Sequence, residues 1–249
     1  MTVVIHSGIQ FSIAAWAAWA PGVETPEAWL EWSLGGRQIA GDSEPALGAM
    51  APMLRRRAGV LDRMALEVAY RCLGDRRDVP GIFCSRHGEA ARSVDLLTDL
   101  AKGLPLSPTG FGLSVHNAAG GLFSIARQDR AASSALAAGA SSVEHAVIEA
   151  CGLLADGAPE VLLVVYDRPL PKIYASFDDR HAQPHAWAWL MQAPANDVVA
   201  LSWSAPPPAP TEVVAELSPG LEILRFYLRQ DRRLQRHCQR HNWLWTRDV

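Results

Sequence analysis

The 249-residue chain has almost no lysine, only Lys102 and Lys172, so arginine supplies nearly all of its positive charge. Arginine stays protonated and forms no Schiff base, which leaves lysine-based covalent chemistry few candidates. Cysteine is also sparse: Cys72, Cys84, Cys151 and Cys238 lie far apart with no CxxC. That spacing excludes a zinc knuckle and a disulfide scaffold, and reduced cytoplasmic thiols are expected. The chain lacks a run of about 20 apolar residues, so no membrane span is predicted. It also lacks basic excess. A net charge of −3 argues against nucleic acid as a partner.

What remains is an ordinary globular composition, 49% hydrophobic and 20% charged, enough for one large core or two small ones. Residues 11–20, FSIAAWAAWA, have the look of a secretory core, but the first basic residue is Arg37. Export signals carry positive charge ahead of that core, so none is predicted.

Along the chain, residues 3–10 read as a first strand. Thr25-Pro26-Glu27 reads as a helix start, with a capping threonine, proline in the first turn and an acid behind it. Leu54, Val60, Leu61, Met64, Val68 and Leu73 recur at helical intervals. Residues 79–84 suggest a strand and 89–102 a helix. A helix over 114–128 has small residues at its centre, suited to close approach by another backbone. Then come a strand near 133–138, a helix over 142–156 and the apolar run VLLVVY at 161–166. A strand apolar on both faces fits a buried, largely parallel sheet under helices, and β-α-β order indicates an α/β layered core. Residues 185–191 and 198–204 read as two strands able to pair through PANDV. PPPAP at 206–210 is a stiff linker, and the arginine-rich stretch from Leu217 reads as a basic amphipathic helix.

Few constellations suggest chemistry. His181/His185 and His237/His241 have the four-residue spacing of a helical metal pair, but no third ligand or acid accompanies either, so no metal is expected. Asp178-Asp179 reads as a solvated turn. Ser141 or Ser142 could be a nucleophile at a helix start, with His145 on the same helix. Ser141-x-x-Glu144 is equally a capping box, the reading favoured here. Arginines from Arg225 to Arg240 could dock an acidic partner, bind phosphate or solvate a helix face, the last being the reading favoured here.

The stretch from LSPTGFGLSVHNAAGG to DGAPEVLLVVYDRPLP, with AAWAPGVETPEAWLEWSLG and FCSRHGE before it, resembles the N-terminal half of β-ketoacyl synthases in the thiolase superfamily. More narrowly, it is similar to the short ketosynthase-like chain length factors of bacterial aryl polyene biosynthesis. The resemblance implies an α/β thiolase-like half-fold (a layered, mostly parallel sheet flanked by helices) with a C-terminal basic helix. It divides the chain into a ketosynthase-like domain over 1–195 and a segment over 196–249 holding a strand, the Pro-rich linker and the Arg-rich helix.

Aligned without gaps on DGAPEVLLVV, the family's nucleophilic cysteine falls at Ala140, beside Gly139. Neither residue can form a thioester, and Cys151 should be a packing residue. An HGTGT-like histidine loop is missing too. The resemblance therefore implies a subunit that does not condense on its own, needs no cofactor, pairs with an active ketosynthase and receives an acyl carrier protein. Phe111, His116, Asn117, Leu122 and Phe123 would face the partner and its acyl tunnel; Arg232, Arg233 and Arg236 would dock the carrier. Two alternatives stand beside this: a small acyltransferase or thioesterase using Ser141 or Ser142, and a purely structural homodimer.

Overall fold

The computed structural model describes residues 8–177, 182–205, 216–238 and 241–248. Eight strands form one sheet in the order β3-β2-β4-β5-β1-β6-β8-β7. They are β1 (Gly8–Trp19), β2 (Gly81–Cys84), β3 (Ser133–Leu136), β4 (Glu160–Asp167), β5 (His185–Gln192), β6 (Val198–Ser204), β7 (Arg233–Cys238) and β8 (His241–Asp248). The helices are α1 (Pro26–Ser33), α2 (Pro52–Arg55), α3 (Val60–Leu73), α4 (Ala90–Ala101), α5 (Pro108–Gly112), α6 (Ala118–Arg127), α7 (Ser142–Ala155) and α8 (Pro219–Leu228).

Strand alternation sorts side chains onto two cores. Val161, Leu163 and Val165 of β4, with Trp187, Trp189 and Met191 of β5, face α1, α7 and α8. Leu162, Val164 and Tyr166, with Ala186, Ala188 and Leu190, face α3 and α6. The alternation Ala-Trp-Ala-Trp thus gives β5 one small face, against which α3 lies, and one bulky face. On that bulky face Trp187 and Trp189 stack with ring centroids 4.6 Å apart. Trp187 Nε1 also donates to Gly220 O at 3.0 Å, tying α8 to the sheet. The small centre of α6 has the close contact expected of it: a Cβ at Gly120 would lie 2.8 Å from Ser133 Oγ and 3.1 Å from Phe83.

The α/β class and the helix-flanked sheet match the sequence reading, with three corrections. Parallel pairing is confined to β2 with β3 and β2 with β4; the remaining pairs are antiparallel. An apolar run requires cover on both faces, which an antiparallel strand between helix layers also receives. Next, β5 and β6 do not pair with each other; both flank β1, whose Phe11–Trp19 stretch is a central strand. Finally, the C-terminal basic helix is only α8, and Arg233 and Arg236 beyond it lie on β7, which pairs with β8. Alternation in LQRHC and HNWLWTR, with Trp243 and Trp245 buried on one face, was the overlooked strand signal. Residues 196–249 thus contribute three strands to the same sheet. His181, Asp178-Asp179 and PPPAP lie outside the described residues.

Candidate functional site

The turn joining β3 to α7 is the position marked by sequence for a nucleophile. Gly139 has φ +59°, a left-handed conformation that glycine adopts without steric cost. Gly139 to Ser141 form a single 3₁₀ turn, and α7 follows from Ser142. Ala140 is exposed at the floor of an open hollow with about 820 Å³ of free space, walled by His145, Cys238 and His241. A methyl group stands at that floor.

The hairpin β7–β8 clamps the turn from the far side. Arg236 is 7% exposed; its Nη1 pairs with Glu144, its Nε donates to Glu222 Oε2 at 2.8 Å and its Nη2 to Ala140 O at 3.3 Å. Trp243 Nε1 donates to Ser141 Oγ at 3.0 Å. The expected Ser141–Glu144 capping box is therefore absent: both side chains are taken by the hairpin. Ser142 does the local work instead, accepting from Ala138 N at 2.9 Å and donating to Gly139 O at 2.7 Å. His145 Nδ1 donates to the Ser141 carbonyl at 2.8 Å, not to a hydroxyl. No serine–histidine nucleophile pair is assembled here.

The four cysteines are free. Burial pushes the Cys72 and Cys151 thiols up to about 12, so both stay protonated near neutral pH. Cys151 packs against the Trp-lined core, as a packing residue should. His237 and His241 sit on strands of the hairpin, which removes the helical spacing argument. Among the described residues, no three His, Cys, Asp or Glu side chains are grouped to hold a metal.

Of the other predicted residues, His116 and Phe123 lie close to β2 and β3. β3 ends the sheet, and among the described residues its outer side has no strand partner. The helices α4 and α5 bury none of their residues. Leu97, Leu100, Leu104, Leu106, Phe111 and Ile125 are 43–66% exposed. Asn117 is exposed and His116 half-buried, its Nε2 3.3 Å from Leu136 O. Leu122 and Phe123 are buried in the core below. Phe123 and Phe83 wall a small hollow that reaches Ser133 of β3. At the far end of the sheet Arg232 and Arg233 are exposed, whereas Arg236 is committed inward. The carrier-docking assignment fails for Arg236 because its guanidinium is consumed by two carboxylates.

Residues 29–246 match the β-ketoacyl synthase N-terminal domain family, and the chain belongs to that family. It is 28% identical, with a TM-score of 0.82, to a chain of the ketosynthase ApeO in complex with its chain length factor ApeC from Xenorhabdus doucetiae. That match covers 96% of this chain and 99% of the other. The ishigamide ketosynthase/chain length factor matches at 14% identity and a TM-score of 0.64, over 79% of this chain and 68% of that one. The AntDE:AntF complex, a type II polyketide synthase acyl-carrier protein with its ketosynthase, matches at 9% identity and a TM-score of 0.68, over 96% and 99%. These last two show the shared thiolase-like fold. No curated protein sequence matches the chain. Among the described residues, no helix is long and apolar enough to cross a membrane.

Proposed function

We propose that the chain is a non-catalytic, chain length factor-like subunit that pairs with an active β-ketoacyl synthase. The observation that carries this reading is the exposed apolar surface of α4–α6, together with a β3 edge that has no strand partner among the described residues. An uncovered strand edge is a template for pairing with another chain, and contiguous exposed apolar groups mark an interaction site. The likeness to a chain of the ApeO–ApeC complex supports a ketosynthase as the partner. The alanine at the helix-start turn agrees with a subunit that works by shape.

In this reading Phe111, His116 and Asn117 meet the partner. Leu122 and Phe123, behind them, set how far the partner's acyl tunnel extends. Each buried methylene contributes about 0.8 kcal/mol, so a bulky wall turns a growing chain from attraction to exclusion within one extension. Exposed Arg232 and Arg233 receive an acidic acyl carrier protein. The pathway is aryl polyene or fatty-acid-like assembly, the compartment the cytoplasm, and no cofactor is needed.

Native mass spectrometry of the chain, purified with and without a ketosynthase encoded beside it, tests the proposal. A one-to-one complex supports it. A stable homodimer that ignores the ketosynthase refutes it and leaves the structural-dimer alternative.

A further inference from the structure

The hollow above the Ala140 turn has a cavity volume of about 410 Å³, inside the range of about 300–1,000 Å³ usual for small-molecule sites. Its floor is the small-residue stretch from Ala138 to Ser141. Its walls carry one thiol and two imidazoles, those of Cys238, His145 and His241. Among the described residues no second cysteine lines it, so the thiol has no disulfide partner within the hollow.

Strand alternation brings these groups together. Cys238 pairs with His241 across the hairpin, as Arg236 does with Trp243. Residues two apart on a strand share a face, so Cys238 and His241 turn the same way as buried Arg236 and Trp243, toward the start of α7. Directly opposed residues on antiparallel strands have Cβ atoms about 4.5–5.5 Å apart. Side-chain rotation alone then brings thiol and imidazole into contact. Cys238 is half-buried, and its Sγ donates to Ala140 O over 3.9 Å, a long contact that is easily given up.

His145 faces them from α7. Its Nδ1 lies 2.8 Å from Ser141 O; a carbonyl can only accept, so Nδ1 carries the proton and Nε2 offers a lone pair. The His145 and His241 rings stand edge to face with centroids 5.9 Å apart. Trp243 supports both, at 5.4 Å from His145 and 5.0 Å from His241. The indole is itself fixed by its bond to Ser141 Oγ, so the two imidazoles rest on a held surface.

We propose that Cys238 accepts the acyl group of a small acyl thioester in this hollow, with His241 as general base. His241 takes the thiol proton while the sulfur attacks the thioester carbonyl carbon, forming a new C–S bond. The tetrahedral intermediate then breaks the donor's C–S bond. The departing thiolate recovers the proton from the imidazolium and leaves as a free thiol. One thioester replaces another, so the step is close to even in energy and needs no oxidant or cofactor. An oxygen ester or an amide would run uphill. α7 begins at the floor, and its positive end favours the charge that develops on the carbonyl oxygen. The product is an acylated chain, formed without a new carbon–carbon bond.

Intact mass and peptide mapping of the full chain, incubated with the butyryl thioester of N-acetylcysteamine, test this. One butyryl group should appear on Cys238, about 100-fold faster than on glutathione with the same reagent. His241→Gln should return the rate to that of glutathione, and Cys238→Ala should take up no butyryl group. Ala140→Phe should block the reaction by filling the floor while thiol and base stay in place. Neither His241 nor Ala140 belongs to the buried core, so melting temperatures near the parent's will separate these losses from unfolding. No butyryl group on Cys238, a rate equal to glutathione's, or either folded variant reacting as fast as the parent would each overturn the proposal. None of these readouts involves a ketosynthase, so failure here and failure of the pairing reading are separable.

Discussion

Replacing Arg236 with methionine should cost far more than any other arginine substitution in the chain. The guanidinium is 6% exposed at its side chain and faces Glu144, which is fully buried; Glu144 Oε2 already has no partner. Methionine fills comparable volume, so the loss is electrostatic and not a cavity. Glu222 is 23% exposed and turns to water; Glu144 cannot. Breaking a buried pair by removing one partner costs about 3–5 kcal/mol, because an uncompensated charge stays inside. For a chain of this size each kcal/mol shifts the melting temperature by about 2–4 °C, so the drop should be about 6–20 °C. Chemical denaturation gives the same free energy independently. The decisive comparison is Arg236→Met with Glu144→Gln: neutralising the stranded carboxylate should recover at least half of the loss. The reasoning is refuted if Arg236→Met costs less than about 1 kcal/mol, or if Glu144→Gln rescues nothing.

The pairing edge offers a sharper separation of folding from assembly. In β3, Ala132 and Leu136 turn their carbonyls to β2, so Ala135 points its backbone outward; Ala135→Pro should abolish co-purification with the ketosynthase while shifting stability by about 1 kcal/mol or less. Leu97→Glu with Leu100→Glu on α4 should reduce complex formation at least tenfold with near-native melting, both leucines being more than half exposed. Ser141→Ala removes the acceptor of Trp243 Nε1 and should cost about 1–3 kcal/mol; it leaves the partner's condensation rate unchanged, whereas a nucleophilic serine would lose the activity outright. Burial, reinforced by Glu89, pushes Asp62 up to about 7. The folded state then binds more protons than the unfolded one between pH 4 and 7, so this group's contribution is present at low pH and lost as pH rises through 7. Asp62→Asn keeps an acceptor for Gly59 N and should flatten that decline in a melting-temperature profile.

Local signals were legible wherever a side chain acts on its own segment. Thr25 caps α1, accepting from Ala28 N at 3.3 Å, and the apolar run at 161–166 is the core of β4. The Ala140 turn and the small-residue helix also stand where the sequence put them. What failed depended on partners distant in sequence. Ser141 and Glu144 have the spacing of a capping box, but Trp243 and Arg236, about a hundred residues away, outbid the local hydrogen bonds. Likewise, PANDV does make a reversal, yet β1 enters between the two strands it joins. A turn signal fixes chain direction and not which strand fills the space beside it. The arginines after α8 misled for another reason: composition suggested a solvated helix, while alternation placed Trp243 and Trp245 inside.

The two ends of the sheet differ in a way that assigns them different tasks. β7 carries Arg233, Gln235 and His237 on its exposed positions, and charge on an edge opposes further strand addition. β3 reads Ser-Ser-Ala-Leu, small and uncharged, with its first three residues exposed. Of the helices with exposed apolar residues, α6 packs on β3, while Arg232 and Arg233 crown the other end. A strand pairing at β3 would continue the sheet. A second chain at β7 would have to desolvate arginines against arginines. The hairpin β7–β8 meanwhile holds the Ala140 turn through Arg236 and Trp243. Substituting Ala135 should therefore disable assembly and leave the clamp intact, and substituting Arg236 should do the reverse. If both variants lost the partner equally at matched stability, the division of the sheet into a pairing end and a clamping end would be wrong.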